Sequence, residues 1–153
     1  MRISILTATY NRANLLKRLY NSIVKNLDSC VEAEWLIMDD GSNDETQNVI
    51  ENFIKDNKLD IQYYKQENEG KMQAINNLVP YSTGDIIIEC DSDDYFCDNA
   101  FKTIKKNYNE MDSSTYAFCY LKYDQNECNI GNLFKIKENT MFDLYFKQGE
   151  TRR

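Results

Sequence analysis

Residues 2–8 (RISILTA) open the chain as an apolar, β-branched run, and the next apolar positions follow a different rhythm. Leu15, Leu16, Leu19, Ile23 and Val24 recur at helical spacing across 14–26, which predicts an amphipathic helix. The alternation then repeats. Residues 34–38 (EWLIM) read as a short buried strand, 45–57 place Val49, Ile50, Phe53 and Ile54 on one helical face, and 61–65 (IQYYK) read as a third strand. A shorter helix is expected over 72–78, ended by Val79-Pro80 and the turn at Ser82-Thr83-Gly84. Residues 85–90 (DIIIEC) form the fourth strand pattern, and its unbroken Ile86, Ile87 and Ile88 predict burial on both faces. A helix over 98–110, strands over 115–123 and 133–137, and the start of a last helix at 142–147 complete the series. Strands alternating with helices imply parallel pairing through right-handed crossovers. The expected fold class is therefore an α/β sandwich with a mostly parallel central sheet.

Composition narrows the picture without changing it. The 153 residues contain one Pro, no repeat and no low-complexity tract, so 1–153 reads as a single domain. Hydrophobic content of 42% beside 28% charged residues is that of an ordinary globular protein. The net charge of −7 repels a polyanion, which excludes nucleic acid as the expected partner. Lys102, Lys105 and Lys106 recur at helical spacing and read as a solvated helix face. No His is present, which removes imidazole metal sites and His-activated nucleophiles. Five cysteines (Cys30, Cys90, Cys97, Cys119 and Cys128) include no C-x-x-C pair, and Cys90 and Cys119 sit inside apolar strand patterns. With no signal peptide and no apolar run near 20 residues, the expectation is a cytoplasmic protein without a transmembrane segment.

The chemistry collects where the strands end, and in open parallel sheets ligands bind beyond those carboxyl ends. Thr9-Tyr10-Asn11-Arg12 follows the first strand, and Asp39-Asp40-Gly41-Ser42-Asn43-Asp44 follows the second. Asn68-Glu69-Gly70-Lys71 follows the third, and Asp91-Ser92-Asp93-Asp94 the fourth. Asp91 and Asp93 are close enough in sequence for both carboxylates to reach one region, a costly arrangement unless a cation or a proton neutralises them. Carboxylates with few other ligands suit Mg²⁺ or Mn²⁺. The structural alternative is that Asp93 or Asp94 caps the next helix, as Asp44 could cap the helix after it. Asp40 could accept the N3–H of uracil or thymine, which cytosine lacks. Gly70 and Lys71 form either a turn with a surface lysine or a backbone approach with a cation for a diphosphate. A receiver domain would carry its acidic pair after the first strand, and a dinucleotide-binding domain would show G-x-G-x-x-G; neither is present.

Four segments in order, SILTATYNR at 4–12, LIMDDGSNDET at 36–46, NEGKMQAIN at 68–76 and TGDIIIECDSDD at 83–94, together resemble the family 2 glycosyltransferases of the GT-A fold. The resemblance implies a GT-A α/β/α sandwich and a metal-dependent, inverting transferase acting on a nucleoside-diphosphate sugar, in particular a UDP-sugar. It places Thr9, Tyr10, Arg12, Asp40, Lys71, Asp91 and Ser92 at the nucleotide sugar, and Asp93 as the ligand of Mn²⁺ or Mg²⁺. Tyr95 is a further candidate donor contact, whereas Tyr63, Tyr64, Tyr116, Phe118 and Tyr120 read as packing. The implied acceptor is a glycan or lipid-linked hydroxyl in surface polysaccharide or glycan assembly, with the protein cytoplasmic or peripheral to the membrane. In this family the general base lies well downstream of the acidic motif. Asp124, Glu127, Glu138 and Asp143 stand in no context that identifies it. The expectation is thus a chain truncated on its acceptor side; the alternative is a non-catalytic nucleotide-sugar-binding module lacking that base.

Overall fold

The computed structural model describes residues 1–112 and two short strands beyond them. The chain divides into two compact units, Met1–Met111 and Asp112–Arg153. In the first, strands β1 (Arg2–Thr9), β2 (Glu32–Asp39), β3 (Asp60–Lys65) and β4 (Ile86–Glu89) form one sheet in the order β3-β2-β1-β4, every pairing parallel. Helices α1 (Ala13–Asn26), α2 (Thr46–Asp56), α3 (Lys71–Leu78, continued by a 3-10 turn at Val79–Tyr81) and α4 (Ala100–Glu110) connect and cover it. In the second unit, β5 (Lys122–Tyr123) pairs antiparallel with β6 (Asn129–Ile130). β5 falls inside the strand expected over 115–123. The rest of that strand, the elements expected at 133–137 and 142–147, and Cys119 and Cys128 lie outside the described residues.

The period-2 pattern of β1 and β2 separates two cores. Ile3, Ile5, Trp35 and Ile37 pack with α1, α2 and α4 through Leu16, Leu19, Ile23, Ile50, Phe53 and Phe101. Tyr20 stacks on Phe53 at 4.3 Å between ring centroids, and Trp35 lies beside both. On the other face Leu6, Leu36 and Met38 pack against Ala74, Ile75 and Leu78 of α3. Each such fully buried aliphatic side chain contributes roughly 1.5–3 kcal/mol. The result is the three-layer α/β/α sandwich that the alternation of elements predicts.

One expectation for β4 fails. Ile86 and Ile88 pack against the larger core, but Ile87 is 46% exposed. In register it faces Ser4 of β1, and α3 packs over β1 and β2 instead. That end of the face is polar rather than apolar. Glu34, fully buried, accepts hydrogen bonds from Ser4 Oγ (2.5 Å), the Thr83 N–H (2.6 Å) and Arg2 Nη2 (2.9 Å). Burial alone would raise the Glu34 pKa, but these donors outweigh it and bring the carboxyl down to about 2. Gly84 sits against the same network; a Cβ there would lie 2.6 Å from the Ser4 backbone nitrogen, so only glycine fits the turn into β4.

Smaller features follow the sequence more closely. Cys90 is buried, Cys30 and Cys97 are exposed, and all three are thiols rather than disulfides. Lys102 and Lys106 are exposed on α4, while Lys105 is half-buried and donates to the Cys30 carbonyl at 3.1 Å. Among the described residues no helix is long and apolar enough to cross a membrane.

Candidate functional site

β1 and β2 end side by side, with Thr9 paired to Asp39, and the Asp40 N–H extends the ladder by bonding the Thr9 carbonyl at 2.9 Å. Thr9 is buried, and its Oγ1 has no hydrogen-bond partner. Tyr10 and Arg12 project outward and are exposed. Asn11 adopts a left-handed φ of 52° and ties the first loop to the second. Its N–H donates to Ser42 Oγ at 2.9 Å, and its Oδ1 accepts from the Asn43 N–H at 2.8 Å. Asp44 secures two helix starts, accepting from the Ala13 N–H of α1 (3.1 Å) and the Thr46 N–H of α2 (3.0 Å). Its burial opposes ionisation, yet the donors from Thr46 and Ala13 hold its carboxyl below the usual range.

The two neighbouring aspartates of the second loop divide their work. Asp39 is fully buried and accepts from the Ser42 N–H (2.7 Å) and the Tyr63 hydroxyl (2.8 Å), with Lys65 Nζ 3.7 Å away. Burial, then the bond to Asp39, pushes the Tyr63 phenol upward, so it stays a neutral donor. Asp40 is also buried. Its Oδ1 accepts from Gln66 Nε2 (2.8 Å) and the Glu69 N–H (2.9 Å), and its Oδ2 from the Gly70 N–H (2.9 Å). A carboxylate offers about four lone-pair positions. Three are taken by the 66–70 loop, so Asp40 both shapes that loop and retains acceptor capacity. Gly70 is at φ 88° with open space where a side chain would go, so glycine is required here by backbone conformation rather than by crowding.

The next residue, Lys71, begins α3 and reaches the fourth strand end. Its Nζ lies 2.5 Å from Asp91 Oδ1 and 2.8 Å from Glu89 Oε1. Partial burial would lower the Lys71 pKa, but the two carboxylates outweigh that effect and raise it. Arg12 reaches the same loop from the other side, with Nη1 2.9 Å from Asp93 Oδ1 and 3.4 Å from Ser92 Oγ. Ser92 itself is buried. Asp91 and Asp93 thus each meet a cation belonging to the chain, which offsets the repulsion between neighbouring carboxylates. The helix-cap alternative for Asp93 and Asp94 fails, because α4 begins only at Ala100, after Asn99 in a left-handed conformation.

A stripe of α1 that sequence reasoning missed holds this loop in place. Arg18 Nη2 donates to the Asp93 carbonyl, and its guanidinium lies 4.7 Å from the centroid of the Tyr95 ring. One turn on, Ser22 Oγ accepts from the Phe96 N–H at 3.0 Å. Another turn on, Asn26 Nδ2 donates to the Cys97 carbonyl at 3.0 Å, and its Oδ1 accepts from the Phe101 N–H at 3.4 Å. The available signal was the four-residue spacing of Arg18, Ser22 and Asn26, which places three polar side chains on one stripe of an amphipathic helix.

All eight predicted site residues therefore lie at the carboxyl edge of the sheet. The structure joins Arg12 to Ser92 and Asp93, Lys71 to Asp91, and Thr9 to Asp40 through the backbone. Among the described residues no group of three or more Asp, Glu, Cys or His side chains could hold a metal by itself. Asp91 and Asp93 supply hard oxygen donors from two side chains, a set that suits a hard divalent cation sharing its remaining positions with substrate oxygens and water. A separate cavity of about 420 Å³ lies at the opposite end, by the start of β2, lined by Asp28, Cys30 and the α4 lysines; it contains none of the eight.

Comparison with known proteins identifies the family and the fold. The sequence profile of glycosyl transferase family 2 matches residues 4–150. An uncharacterised glycosyltransferase of Mycoplasma genitalium is 35% identical over 127 residues, covering 80% of this chain and 42% of that protein. The GalNAc(5)-diNAcBac-PP-undecaprenol beta-1,3-glucosyltransferase of Campylobacter jejuni is 28% identical over 127 residues, covering 82% and 40%. The chain thus spans less than half the length of these two relatives. Residues 1–349 of S. aureus TarS, solved in complex with UDP-GlcNAc, superpose with a TM-score of 0.65 at 27% identity, covering 72% of this chain and 32% of that one.

Proposed function

The chain belongs to glycosyl transferase family 2 and has the GT-A-type fold of its catalytic members, and from that premise we propose that its strand-end loops bind a nucleoside-diphosphate sugar, in particular a UDP-sugar, with Mn²⁺ or Mg²⁺. The observation that carries the reading is the meeting of Asp91 and Asp93 with Lys71 and Arg12 beside the Thr9–Asp40 strand ends. Asp93, with Asp91, would hold the divalent cation. When bound, that cation would neutralise charge building on the departing nucleoside diphosphate. Lys71 and Arg12 bring positive charge to the diphosphate from either side. Asp40 uses its remaining acceptor position for the base N3–H, while the 66–70 loop fixes its orientation. Thr9 Oγ1, buried and without a partner, keeps hydrogen-bonding capacity at the floor of the site. Tyr10 and Ser92 line its two sides, and Tyr95 stays close through Arg18.

The reaction in this proposal is transfer of the sugar to an acceptor hydroxyl with inversion, which needs a carboxylate base on the attacking oxygen. We assign that role to none of the described carboxylates: Asp91, Asp93 and Asp40 are engaged with Lys71, Arg12 and the 66–70 loop. A glycan or lipid-linked acceptor in surface polysaccharide assembly fits the Campylobacter jejuni relative, whose own name specifies an undecaprenol-linked oligosaccharide. Such a reaction would place the protein in the cytoplasm or at the inner face of the membrane. The competing reading is a nucleotide-sugar-binding module without turnover.

Titration of the 153-residue chain with UDP, dTDP and CDP in Mn²⁺ tests the donor assignment. UDP and dTDP are expected to bind and CDP to bind at least about tenfold more weakly, since cytosine leaves Asp40 without its donor. Equal affinity for CDP would remove the Asp40 contact, and no binding of any diphosphate would remove the function. UDP release from UDP-GlcNAc or UDP-glucose with an added acceptor separates the enzyme from the module.

A further inference from the structure

We infer that Arg12 is an exchange residue: it occupies the Asp93 carboxylate before the cation arrives and passes to the diphosphate as the cation binds, so that it opposes metal binding alone and favours metal and nucleotide binding together. The inference rests on the proposed donor site and concerns how that site fills. Arg12 Nη1 is 2.9 Å from Asp93 Oδ1, the carboxylate expected to take the metal. A guanidinium hydrogen-bonded to that oxygen cannot stay while a divalent cation coordinates it, because the position is taken and two positive centres would be in close approach. The pair is partly solvated, with side-chain exposures of 44% for Arg12 and 48% for Asp93, so the exchange requires no buried charge to be left uncompensated.

Arg12 has somewhere to go. It follows β1 directly in the Tyr10-Asn11-Arg12 loop, between the Asp91–Asp93 loop and the base pocket at Asp40, where the diphosphate would run. Its planar fork matches a phosphate as well as it matches a carboxylate. Lys71 is already shared between Asp91 and Glu89, so Glu89 can keep it when Asp91 is drawn toward a cation. Asp93 has no equivalent arrangement with Arg12. The Arg18 contact to this loop goes to the Asp93 carbonyl and leaves the carboxylate to Arg12. By linkage, whatever Arg12 takes from the affinity for metal alone it returns as coupling between metal and nucleotide.

The test is the affinity for Mn²⁺, followed by electron paramagnetic resonance of the unbound ion, without nucleotide and at saturating UDP. It compares the wild-type chain with Arg12→Gln, Arg12→Lys and, as a control for net charge, Lys17→Gln on the exposed face of α1. An exposed ion pair of this kind suppresses competing binding by about threefold, so Arg12→Gln is expected to tighten Mn²⁺ alone by about that factor. At saturating UDP that gain is expected to disappear, because Arg12 has then left Asp93 for the diphosphate and its cost to the metal has been returned as coupling. Arg12→Lys should keep the wild-type direction in both states, and Lys17→Gln should change neither by more than about 1.5-fold. An equal gain in both states, weaker Mn²⁺ binding by Arg12→Gln in both states, or a gain no larger than that of Lys17→Gln, would overturn the inference while leaving the donor site standing. A wild-type chain that holds no Mn²⁺ even with UDP would overturn both.

Discussion

At the scale of single residues, the site depends on carboxylates that already serve the fold. Asp40 accepts three hydrogen bonds from the loop that delivers Lys71, so the same side chain that is proposed to read the base also positions the cation two strand ends away. Glu34 shows the purely structural version of such a group. Its folded pKa of about 2 lies below the ordinary value of 4.5, so its contribution to stability is fully present above pH 4.5 and is lost as pH falls toward 2. The shift corresponds to roughly 3 kcal/mol at most. Urea unfolding of the wild-type chain followed from pH 5 to pH 2.5 should show this loss. In Glu34→Gln the slope over that interval should flatten, at the cost of lower stability at neutral pH because Arg2 loses a buried partner. An unchanged slope in Glu34→Gln would assign the acid sensitivity to other carboxylates.

At the scale of elements, α1 couples the core to the acidic loop. Its apolar face carries Leu16, Leu19 and Ile23, while Arg18, Ser22 and Asn26 hold residues 93–101. Asn26→Ala removes bonds to both Cys97 and Phe101 and should cost about 1–3 kcal/mol. Amide exchange across residues 91–99 should quicken in that variant, and metal-dependent UDP binding should weaken although Asn26 touches neither ligand. Protection unchanged in that segment would show that Arg18 and Ser22 suffice. This scale also shows what the sequence could reveal. Helical and strand periodicity locates β1, α1, α3 and β3 to within about a residue, because each has one apolar face and a clear start or stop. The burial of β4 was misread because three consecutive isoleucines look alike in sequence, whereas only Ile86 and Ile88 meet the larger core. Asp39 reads as a loop residue, yet it closes β2 because Thr9 of β1 pairs with it. The strand-end residues could be named from their position after each apolar run. Their partners could not: Arg12 and Asp93, or Asn26 and Cys97, are joined only by the fold.

At the scale of the whole molecule, a chain of net charge −7 gathers Arg12, Arg18 and Lys71 around the acidic loop at 91–94. That distribution suits a ligand that brings its own anionic diphosphate and a divalent cation, since each side of the exchange then finds an opposite charge. It does not suit nucleic acid, for which an acidic surface is repulsive at long range. The edge defined by Thr9, Asp40, Lys71 and the Asp91–Asp93 loop is proposed as a metal-dependent site for a nucleoside diphosphate sugar. Calorimetric titration of the chain with UDP, with and without Mn²⁺, beside Asp93→Ala, tests it most directly. UDP binding is expected to need Mn²⁺ and to be lost in Asp93→Ala. UDP binding of equal strength without Mn²⁺, or retained in Asp93→Ala, would contradict it.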